Sequence, residues 1–243
     1  MDSRIEQLKT LLKNSKSIAF LGGAGISTES GIPDFRSKDG IFSAKTTYGY
    51  PPETLLSYDF FLHHKEVFFD YYKKYLLHPG AQPNDAHKAL ARLEASGKLQ
   101  AIVTQNIDGL HQRAGSRNVY ELHGSVHRNY CMRCRKGFSL DDILSSSGVP
   151  YCSCGGTIKP DVVLYGEGLN EDVLSKSMKH IAQSDMLIIG GTSLTVYPAA
   201  GLVDYFAGDT LVVLNLSPTS RDKQATLCID LPIGEVLREA VVT

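Results

Sequence analysis

Four cysteines fall within 24 residues of one another, and their spacing is that of a metal site. They are Cys131, Cys134, Cys152 and Cys154. Four thiolates complete the tetrahedral coordination of zinc and leave no open position for a substrate. The pattern therefore predicts a structural zinc ion, with a redox-active dithiol pair as the alternative. The second pair is separated by one residue, which is tighter than the usual spacing of two.

A histidine at the end of an apolar run immediately precedes the cysteines. His123 follows Val119-Tyr-Glu-Leu122 and is itself followed by Gly124, which we expect to keep the approach to the imidazole open. A neutral imidazole can accept a proton from a hydroxyl near neutral pH. His123 is therefore a candidate general base, although a histidine after a strand is often structural and the chain has 8 histidines.

A glycine-rich segment, Gly22-Gly-Ala-Gly25-Ile-Ser27, follows another apolar run. Glycines let a backbone approach a phosphate, and the helix that we expect to begin here would offer N–H groups to an anion. A tight turn between strand and helix is the alternative. The segment departs from the dinucleotide fingerprint, because Thr28 replaces a glycine and no acidic residue ends a strand about 20 residues later. This departure argues against a dehydrogenase.

Two further segments carry polar groups suited to a nucleotide. Gln105-Asn-Ile-Asp108 places two amides and a carboxylate where they could hold a carboxamide, ribose hydroxyls or an ordered water. The alternative is that the amides cap the next helix. Gly31-Ile-Pro-Asp-Phe-Arg36 ends in an arginine that could bind phosphate through two hydrogen bonds or cover a ribose. An ordinary surface turn is the alternative for the second segment.

Short apolar runs place these polar residues at their ends. The runs are rich in branched residues and barely alternate, which is typical of strands buried on both faces of a parallel sheet. Such sheets bind ligands beyond the carboxyl ends of their strands. The runs are 18–21, 101–103, 119–122, 186–189 and 211–214.

Helical patterns separate several of these runs. Residues 1–16 predict an amphipathic helix with Ile5, Leu8, Leu11 and Leu12 on its apolar face, and 86–95 predict a helix with a cap in 83–85 and a stop at Gly97. A helical region is also predicted for residues 52–77, within an aromatic-rich stretch.

The fold class predicted is α/β, a Rossmann-like parallel sheet flanked by helices, with a small zinc-binding module and a helical module inserted. The predicted divisions are a nucleotide-binding domain (1–36, 83–124 and 160–243), a cofactor loop with a helical module (37–82) and a coil-rich zinc module (125–159).

Composition excludes several classes of function. Hydrophobic residues make up 42% of the 243 residues and charged residues 21%, which is typical of a soluble globule. The net charge of −1 argues against non-specific binding to DNA or anionic membranes. No apolar run approaches the roughly 20 residues needed to span a bilayer. We see no export signal and expect a cytoplasmic protein, whose clustered cysteines more often bind metal than form disulfides. Cys228 is predicted to be an inert buried thiol.

In order along the chain, these segments make it similar to the sirtuins, the NAD-dependent protein deacylases. The similarity covers nearly the whole chain, and the short termini resemble the compact bacterial members. The tight second cysteine pair is the main departure. The matching segments are Gly23-Ala-Gly25-Ile-Ser27, Gly31-Ile-Pro-Asp-Phe-Arg36, Thr104-Gln-Asn-Ile-Asp108, Glu121-Leu-His-Gly124, the four cysteines, Pro160-Asp-Val-Val-Leu-Tyr-Gly-Glu167, Gly191-Thr-Ser193 and Asn215-Leu216.

The resemblance implies a role for each matching residue. The catalytic residues would be His123, Asn106 and Asp108. The pyrophosphate and the nicotinamide ribose would be held by Ala24, Thr28, Phe35 and Arg36, in a cradle that includes Gly23 and Gly25. The nicotinamide pocket would be lined by Gln105, Ile107 and Asp108, with Asp108 accepting from the carboxamide. The adenosine half would be bound by Thr192, Ser193, Asn215 and Ile233. The substrate backbone would add a strand along Val163, Gly166, Glu167 and Gly168, with Tyr165 against the acyl chain. The zinc ligands would be Cys131, Cys134, Cys152 and Cys154.

The resemblance also implies the reaction. The carbonyl oxygen of an acylated lysine attacks the ribose carbon that bears nicotinamide, nicotinamide leaves, and His123 takes a proton from a ribose hydroxyl. The ribose 2′-oxygen then attacks the imidate, and water enters to give free lysine and O-acyl-ADP-ribose. The cofactors are therefore NAD and one structural zinc ion, the partner is an acyl-lysine protein or peptide, and we expect neither a membrane nor direct binding of nucleic acid.

Which acyl group is removed is a separate question. Family members that prefer succinyl or malonyl groups carry a Tyr-x2-Arg pair in the acyl pocket. This chain has no arginine between Arg36 and Arg92. We therefore expect it to remove neutral acyl groups, acetyl first.

Two other functions stay open at this point. Mono-ADP-ribosyl transfer to a protein uses the same cofactor site. A zinc-bearing nucleotide sensor or nucleic-acid adaptor is the non-enzymatic alternative, and the placement of Asn106, Asp108 and His123 at adjacent strand ends argues against it.

Overall fold

A computed structural model describes residues 2–34 and 48–241 of the chain. Within these ranges the α-helices are α1 (Ser3–Asn14), α2 (Pro52–Leu55), α3 (Tyr58–His63), α4 (Lys65–Tyr75), α5 (Asp85–Ala95), α6 (Leu110–Arg113), α7 (Leu140–Ser145), α8 (Glu171–Gln183) and α9 (Ile233–Ala240). The strands are β1 (Ile18–Gly22), β2 (Leu99–Thr104), β3 (Val119–Glu121), β4 (Gly124–Cys131), β5 (Gly137–Phe138), β6 (Ile158–Val162), β7 (Met186–Gly190), β8 (Thr210–Leu214) and β9 (Leu227–Ile229). In the same described ranges, 3₁₀ helices span Ala24–Ser30, Ala199–Tyr205 and Asp222–Gln224.

The large sheet of the described residues is parallel throughout and has the order β3-β2-β1-β7-β8-β9. This is the strand order of the Rossmann fold, so the predicted fold class is confirmed. The predicted apolar runs coincide with β1, β2, β3, β7 and β8. The sequence does not predict β9, because three residues between polar neighbours cannot be distinguished from a loop by periodicity.

Alternate residues of the central strand face two different layers of helices. Ile18 and Phe20 pack in the core that α1, α5 and α9 cover. Ala19 and Leu21 pack in the core that α8 and the 3₁₀ helix Ala199–Tyr205 cover. Every residue of β1 is therefore buried, which is why the strand reads as a continuous apolar run instead of an alternating one.

The two predicted helices that cover this sheet are confirmed. In α1, Ile5, Leu8 and Leu12 are buried, and Leu11 packs at the edge of the same core. Helix α5 begins after Asn84, whose side chain accepts hydrogen bonds from the N–H groups of the first turn. The caps define where the helices begin, and the apolar faces define which side packs on the sheet. Both features are visible in the local sequence.

The aromatic-rich stretch folds as helices, but as three short ones (α2, α3 and α4) where the sequence suggests a single helical region. Breaks occur because Ser57 caps α3 through the Phe60 N–H, and His64 leaves the helical conformation before α4. The core of this module is rich in aromatic residues, which pack with leucines, and Phe61, Phe68 and Tyr72 are fully buried.

The cysteine-bearing segment is more regular than the predicted coil. In the described residues, β4 pairs antiparallel with β5 and β6 to form a three-stranded sheet in the order β5-β4-β6. The sheet begins at Gly124 and ends at Val162, and its apolar face joins the aromatic core of the helical module. The division of the chain into domains stays a prediction.

Cys228 differs from its prediction in one respect. It lies in β9 and is partly exposed, because β9 lies at the edge of the large sheet. Burial still raises the pKa of the Cys228 thiol, with the Asp222 carboxylate adding to the effect. The raised pKa disfavours the reactive thiolate, and the inertness of this thiol stays a prediction. Among the described residues, no helix has the length and apolar character needed to cross a membrane.

Candidate functional site

A cavity of about 970 Å³ opens beyond the carboxyl ends of the large sheet. It lies at the point between β1 and β7 where the strand order of the sheet reverses. Open parallel sheets bind their ligands at such a point. Most of the predicted site residues line this one cavity: Gly23, Ala24, Gly25, Thr28, Gln105, Asn106, Ile107, Asp108, His123, Val163, Tyr165, Gly166, Glu167, Thr192, Ser193, Asn215 and Ile233. Gly168 is not part of the lining. Phe35 and Arg36 lie outside the described residues.

The glycine-rich loop is close-packed against the loop that follows β7. A Cβ atom added to Gly25 would lie 2.7 Å from the Cα atom of Gly191, and one added to Gly23 would lie 2.8 Å from the Cβ atom of Thr192. The N–H of Gly25 donates to the Gly191 carbonyl at 2.8 Å. These glycines are therefore required for the contact between the two loops. The sequence suggests a different reason, the approach of the backbone to a phosphate. The helix that begins at Ala24 is a 3₁₀ helix of 7 residues.

A buried hydroxyl joins the glycine-rich loop to two predicted catalytic side chains. The Ser27 Oγ donates to Asp108 Oδ2 at 2.7 Å and accepts from Asn106 Nδ2 at 3.0 Å. Asp108 Oδ1 accepts from the Leu110 N–H at 2.9 Å, so this carboxylate also caps α6. The alternative in which the amides of this segment cap the helix is wrong, because the carboxylate makes that bond and the amides of Gln105 and Asn106 donate to Thr192 and Ser27. Each oxygen of this carboxylate keeps a further lone pair for a ligand.

Gln105 connects three parts of the site. Its backbone N–H donates to the Gly22 carbonyl at 3.0 Å, and its side-chain Nε2 donates to Thr192 Oγ1 at 3.0 Å. Its backbone carbonyl lies 2.9 Å from Nδ1 of His123. One residue at the end of β2 therefore ties together the loops that follow β1, β3 and β7.

This last contact fixes the tautomer of His123. A carbonyl oxygen can only accept a hydrogen bond, so the proton lies on Nδ1 and the lone pair on Nε2. Burial lowers the pKa of His123 below its ordinary value of 6.5, and the hydrogen bond to the Gln105 carbonyl opposes this effect only in part. The imidazole is therefore neutral at pH 7 and can accept a proton at Nε2.

Gly124 is needed for a reason that differs from the predicted one. Its φ is +77°, and an added Cβ atom would lie 1.9 Å from the Asp161 carbonyl oxygen. Here the chain turns from His123 into β4, which pairs with β6 at Gly124 and Val162. Gly124 therefore allows β4 to pair closely with β6 directly after the histidine. That it also keeps the approach to the imidazole open stays a prediction.

The predicted adenosine-side residues lie at the ends of β7 and β8. Thr192 Oγ1 accepts from the Leu194 N–H at 3.2 Å in addition to the Gln105 amide. Ser193 Oγ lies 2.8 Å from Thr195 Oγ1, and Asn215 Nδ2 donates to the Ser217 carbonyl at 2.6 Å. These side chains are thus held by local hydrogen bonds that fix the shape of the two loops.

The predicted substrate segment runs along one side of the cavity, and other parts of the protein hold its backbone. The Val163 N–H donates to the His123 carbonyl at 3.0 Å. The Tyr165 N–H donates to the Leu56 carbonyl at 3.0 Å, and the Tyr58 N–H donates to the Tyr165 carbonyl at 2.9 Å. The segment therefore links the histidine to the helical module. Its Tyr165 side chain is 45% exposed, so it is accessible from solvent.

The Glu167 carboxylate turns into the protein. Its Oε2 accepts from the Leu164 N–H at 2.9 Å and lies 2.9 Å from Nζ of Lys159. The carboxylate of Glu167 therefore bonds within the protein, and the pairing of its main chain with the substrate stays a prediction.

The cysteine cluster has the geometry of a metal site. The four Sγ atoms lie within 4.8 Å of one another, and no disulfide links them. The N–H groups of Cys134 and Arg133 donate to Cys131 Sγ at 3.4 Å each. These bonds, that from Cys134 first, lower the pKa of Cys131 to about 6, which favours the thiolate that metals bind.

The tight second pair is accommodated by the glycines that follow it. The Cys152 N–H donates to the Gly156 carbonyl, and the Gly155 N–H donates to the Cys152 carbonyl, both at 2.8 Å. A Cβ atom on Gly156 would lie 2.6 Å from Cys131 Sγ. The turn therefore compensates for the missing residue and brings Cys152 and Cys154 to the other two thiols.

Sequence reasoning assigns no role to three residues that the structure brings to the site. Ser27 holds Asn106 and Asp108, and Glu29 Oε2 accepts from the Gly234 N–H at 2.7 Å at the start of α9. Lys159 contacts the substrate segment. Ser27 and Glu29 follow the glycines of a motif, which is the only signal that could have indicated them, and nothing in the local sequence distinguishes Lys159.

Comparison with known proteins assigns the family. The model of the Sir2 family matches residues 23–198. The chain is 56% identical over 243 residues to a protein of Clostridium perfringens named NAD-dependent protein deacetylase, across 99% of this chain and 100% of that protein. It is 54% identical over 240 residues to a protein of the same name from Clostridium acetobutylicum, across 98% of each.

Solved structures agree with this assignment. A Sir2 structure with a p53 peptide and NAD+ has a TM-score of 0.85 and 41% identity, and the match covers 98% of this chain and 96% of that one. A Sir2 variant with a deacetylated p53 peptide and 3′-O-acetyl ADP ribose has a TM-score of 0.88 and 40% identity, across 97% and 96% of the two chains. This chain therefore belongs to the Sir2 family, the sirtuins, and is a bacterial-type member.

Proposed function

We infer that this chain is an NAD-dependent protein deacetylase, which transfers the acetyl group of an acetyl-lysine side chain to ADP-ribose and releases nicotinamide. Relatives of that name are more than half identical to it. The geometric observation that carries the proposal is the orientation of His123. Its Nδ1 lies 2.9 Å from the Gln105 carbonyl, so that Nε2 is the basic nitrogen of a histidine on the cavity wall.

The donors and acceptors of the cavity wall fit a dinucleotide. The Asp108 carboxylate is held by Ser27 and by the Leu110 N–H, and its remaining lone pairs can accept from a nicotinamide carboxamide. Gln105 and Thr192 bridge this end to the ends of β7 and β8, where Ser193, Asn215 and Ile233 would hold the adenosine half. NAD, when bound, supplies the ribose carbon that accepts the acyl oxygen as nicotinamide leaves.

His123 acts in this proposal as a general base toward a ribose hydroxyl. Burial keeps the imidazole neutral near pH 7, and the Gln105 carbonyl keeps its proton on Nδ1. The protein then needs no nucleophile of its own. Asn106 and Asp108 position the nicotinamide end, and a well-placed base contributes roughly 10²–10⁴-fold to the rate.

The substrate class is a protein or peptide. Sir2 structures with p53 peptides support this assignment. The segment Val163 to Gly168 would pair with the substrate backbone, because an extended peptide can add a strand to an exposed main-chain edge. Tyr165 would lie against the acyl-lysine stem.

The acyl group is neutral in this proposal. In the described lining of the cavity, Arg113 supplies the one arginine or lysine side chain. Its guanidinium already donates to the Ala81 carbonyl at 2.6 Å and to Gln82 Oε1 at 2.9 Å. Among the described residues, a succinyl carboxylate would therefore find no uncommitted arginine or lysine in the lining, and an unpaired charge is costly in a partly buried site. Faster removal of succinyl than of acetyl from one peptide sequence would contradict this.

The cysteine cluster would hold one structural zinc ion. Four sulfur ligands satisfy tetrahedral zinc and leave no position for catalysis. The low pKa of Cys131 and the close approach of the four Sγ atoms support this. The five cysteines, all of them in the described part of the chain, form no disulfide, which suits a reducing compartment, and we place the protein in the cytoplasm on that ground.

The test is mass spectrometry of a reaction that contains NAD and an acetyl-lysine peptide. Wild type should give O-acetyl-ADP-ribose, nicotinamide and free lysine in equal amounts. The variant His123→Ala should lose roughly 10²–10⁴-fold in rate and still bind NAD, whereas His63→Ala, on the exposed end of α3, should behave as wild type. ADP-ribose attached to the peptide would favour mono-ADP-ribosyl transfer, and full activity of His123→Ala would refute the assigned base.

A further inference from the structure

Lys159 carries a buried ammonium group whose contacts all lead to the substrate segment or its approach. Only 4% of its side chain is exposed. Its Nζ donates to the carbonyl oxygens of Pro160 at 3.2 Å and Val162 at 3.0 Å and lies 2.9 Å from Glu167 Oε2. Lys159 does not line the cavity, so any role in the reaction must act through the residues that it holds.

Two tyrosine rings complete the surroundings of this ammonium. Nζ lies 6.0 Å from the centre of the Tyr58 ring and 5.9 Å from the centre of the Tyr130 ring. Aromatic faces stabilise a cation at such distances. The ammonium thus contacts the helical module through Tyr58, β4 through Tyr130 and the end of β6 through two carbonyls. These contacts fix its position.

The ion pair closes a loop around the substrate segment. Glu167 Oε2 accepts both from Lys159 and from the Leu164 N–H at 2.9 Å, and the Glu167 N–H donates to the Leu164 carbonyl at 2.9 Å. The residues between, which include Tyr165 and Gly166, therefore form a closed turn. Gly166 has a φ of +93°, a conformation that L-residues rarely adopt and that this turn requires.

The same segment is bonded to the proposed base. The Val163 N–H donates to the His123 carbonyl at 3.0 Å, next to the Val162 carbonyl that Lys159 holds. If the ammonium were removed, Glu167 would keep a partly buried negative charge without its cation, and the Val162 carbonyl would lose its donor. Breaking a buried pair from one side is strongly destabilising, so the turn would have to open toward water.

We propose that Lys159 is a positioning residue for the acylated substrate: it fixes the turn of residues 163–168, through Glu167 and the Val162 carbonyl, in the shape that pairs with the substrate backbone. The inference rests on the proposed deacetylase function and names how its peptide site is held. It predicts that Lys159 determines affinity for the peptide and leaves affinity for NAD alone.

The test compares Lys159→Met with a matched control, Lys98→Met. Lys98 is a partly buried lysine whose Nζ donates to three carbonyls, those of Leu12 at 2.6 Å, Lys13 at 2.7 Å and Ser15 at 3.2 Å. It ties the end of α1 to β2 and lies outside the cavity. Each variant removes an ammonium group and leaves its acceptors without that donor, so both variants should lose thermal stability.

Peptide binding distinguishes them. The Kd of a fluorescent acetyl-lysine peptide should rise at least about tenfold in Lys159→Met, a change that corresponds to 1.4 kcal/mol, with the KM for NAD within twofold of wild type. It should be unchanged in Lys98→Met. The conservative variant Lys159→Arg keeps the charge and should restore most of the affinity. Equal peptide affinity in Lys159→Met and Lys98→Met would overturn the proposal.

A second variant covers a failure to fold. If Lys159→Met shows no cooperative unfolding, the double variant K159M/E167Q removes both charges and leaves no buried ion unpaired. It is judged by the same tenfold criterion for peptide Kd. A wild-type protein that binds the peptide but gives no NAD-dependent turnover would instead contradict the proposed function, and it would leave the peptide comparison intact.

Discussion

Replacing Ser27 by alanine removes a hydroxyl that joins two predicted catalytic side chains. Ser27 is 1% exposed, and its Oγ donates to Asp108 at 2.7 Å and accepts from Asn106 at 3.0 Å. A hydrogen bond to a carboxylate contributes about 1.5–3 kcal/mol and one between neutral groups about 0.5–1.5 kcal/mol. Alanine removes this shared hydroxyl, so both groups lose a hydrogen bond within the protein.

Only part of this loss should reach the transition state, because Asp108 keeps its bond to the Leu110 N–H at 2.9 Å. If the fraction that orients the carboxamide is about half, kcat/KM for NAD falls roughly 5- to 40-fold, or about 1.0–2.2 kcal/mol. The assay is initial-rate nicotinamide release with saturating acetyl-lysine peptide, together with a thermal melt of each variant.

Ser177→Ala is the matched control for this experiment. Ser177 is fully buried in α8, its Oγ donates to the Val173 carbonyl at 2.7 Å, and it lies outside the cavity. It should lose stability and keep kcat/KM. If Ser27→Ala retains kcat/KM within twofold of wild type while melting earlier, Ser27 is only a packing residue and the reasoning about Asp108 is wrong.

Three further outcomes follow from the site. Burial lowers the pKa of His123, so the deacetylation rate should rise with pH through a midpoint below 6.5. At pH 6 the rate should therefore exceed about one quarter of its plateau. A midpoint above 6.5 would show that the hydrogen bond to the Gln105 carbonyl outweighs burial. Cys131→Ser should lose the bound zinc by elemental analysis and lower the free energy of unfolding by about 4 kcal/mol or more, whereas a zinc-replete, equally stable variant would contradict a structural metal. Glu29→Ala removes the acceptor of the Gly234 N–H. Because Glu29 is exposed and water screens its charge, the loss should be about 0.5–1.5 kcal/mol in a melt, with a higher KM for NAD, while Glu29→Gln, which keeps an acceptor, should lie near wild type.

The sequence predicts the sheet and the edge at which the site lies. Runs buried on both faces are apolar at every position, as in β1 and β7, and parallel strands place their carboxyl ends together. Residues such as Gln105, Thr192 and Asn215 follow three such runs and do line one cavity. The metal site of the four cysteines is equally recognisable in the sequence, because a tetrahedral site needs only a few ligands at short spacing.

Contacts between distant segments are what the sequence does not specify. Ser27 and Asp108 are 81 residues apart in the chain, and no local pattern says which buried hydroxyl meets which carboxylate. The glycines illustrate the same limit. Gly25 and Gly124 are recognisable as special, yet their reason is contact with Gly191 and with the Asp161 carbonyl, segments that only the folded chain brings to them.

The chemistry of His123 follows from the register of two strands. In the pairing of β2 with β3, Thr104 lies opposite Glu121, and the Leu122 N–H donates to the Thr104 carbonyl at 2.9 Å. The next carbonyl along β2, that of Gln105, therefore meets the side chain that comes after Leu122. A slip of one residue would turn this carbonyl away and leave either ring nitrogen free to carry the proton. The basic nitrogen of the site is thus set by main-chain pairing in the large sheet, and variants that disturb the β2–β3 edge should change the protonation behaviour of His123 without touching its ring.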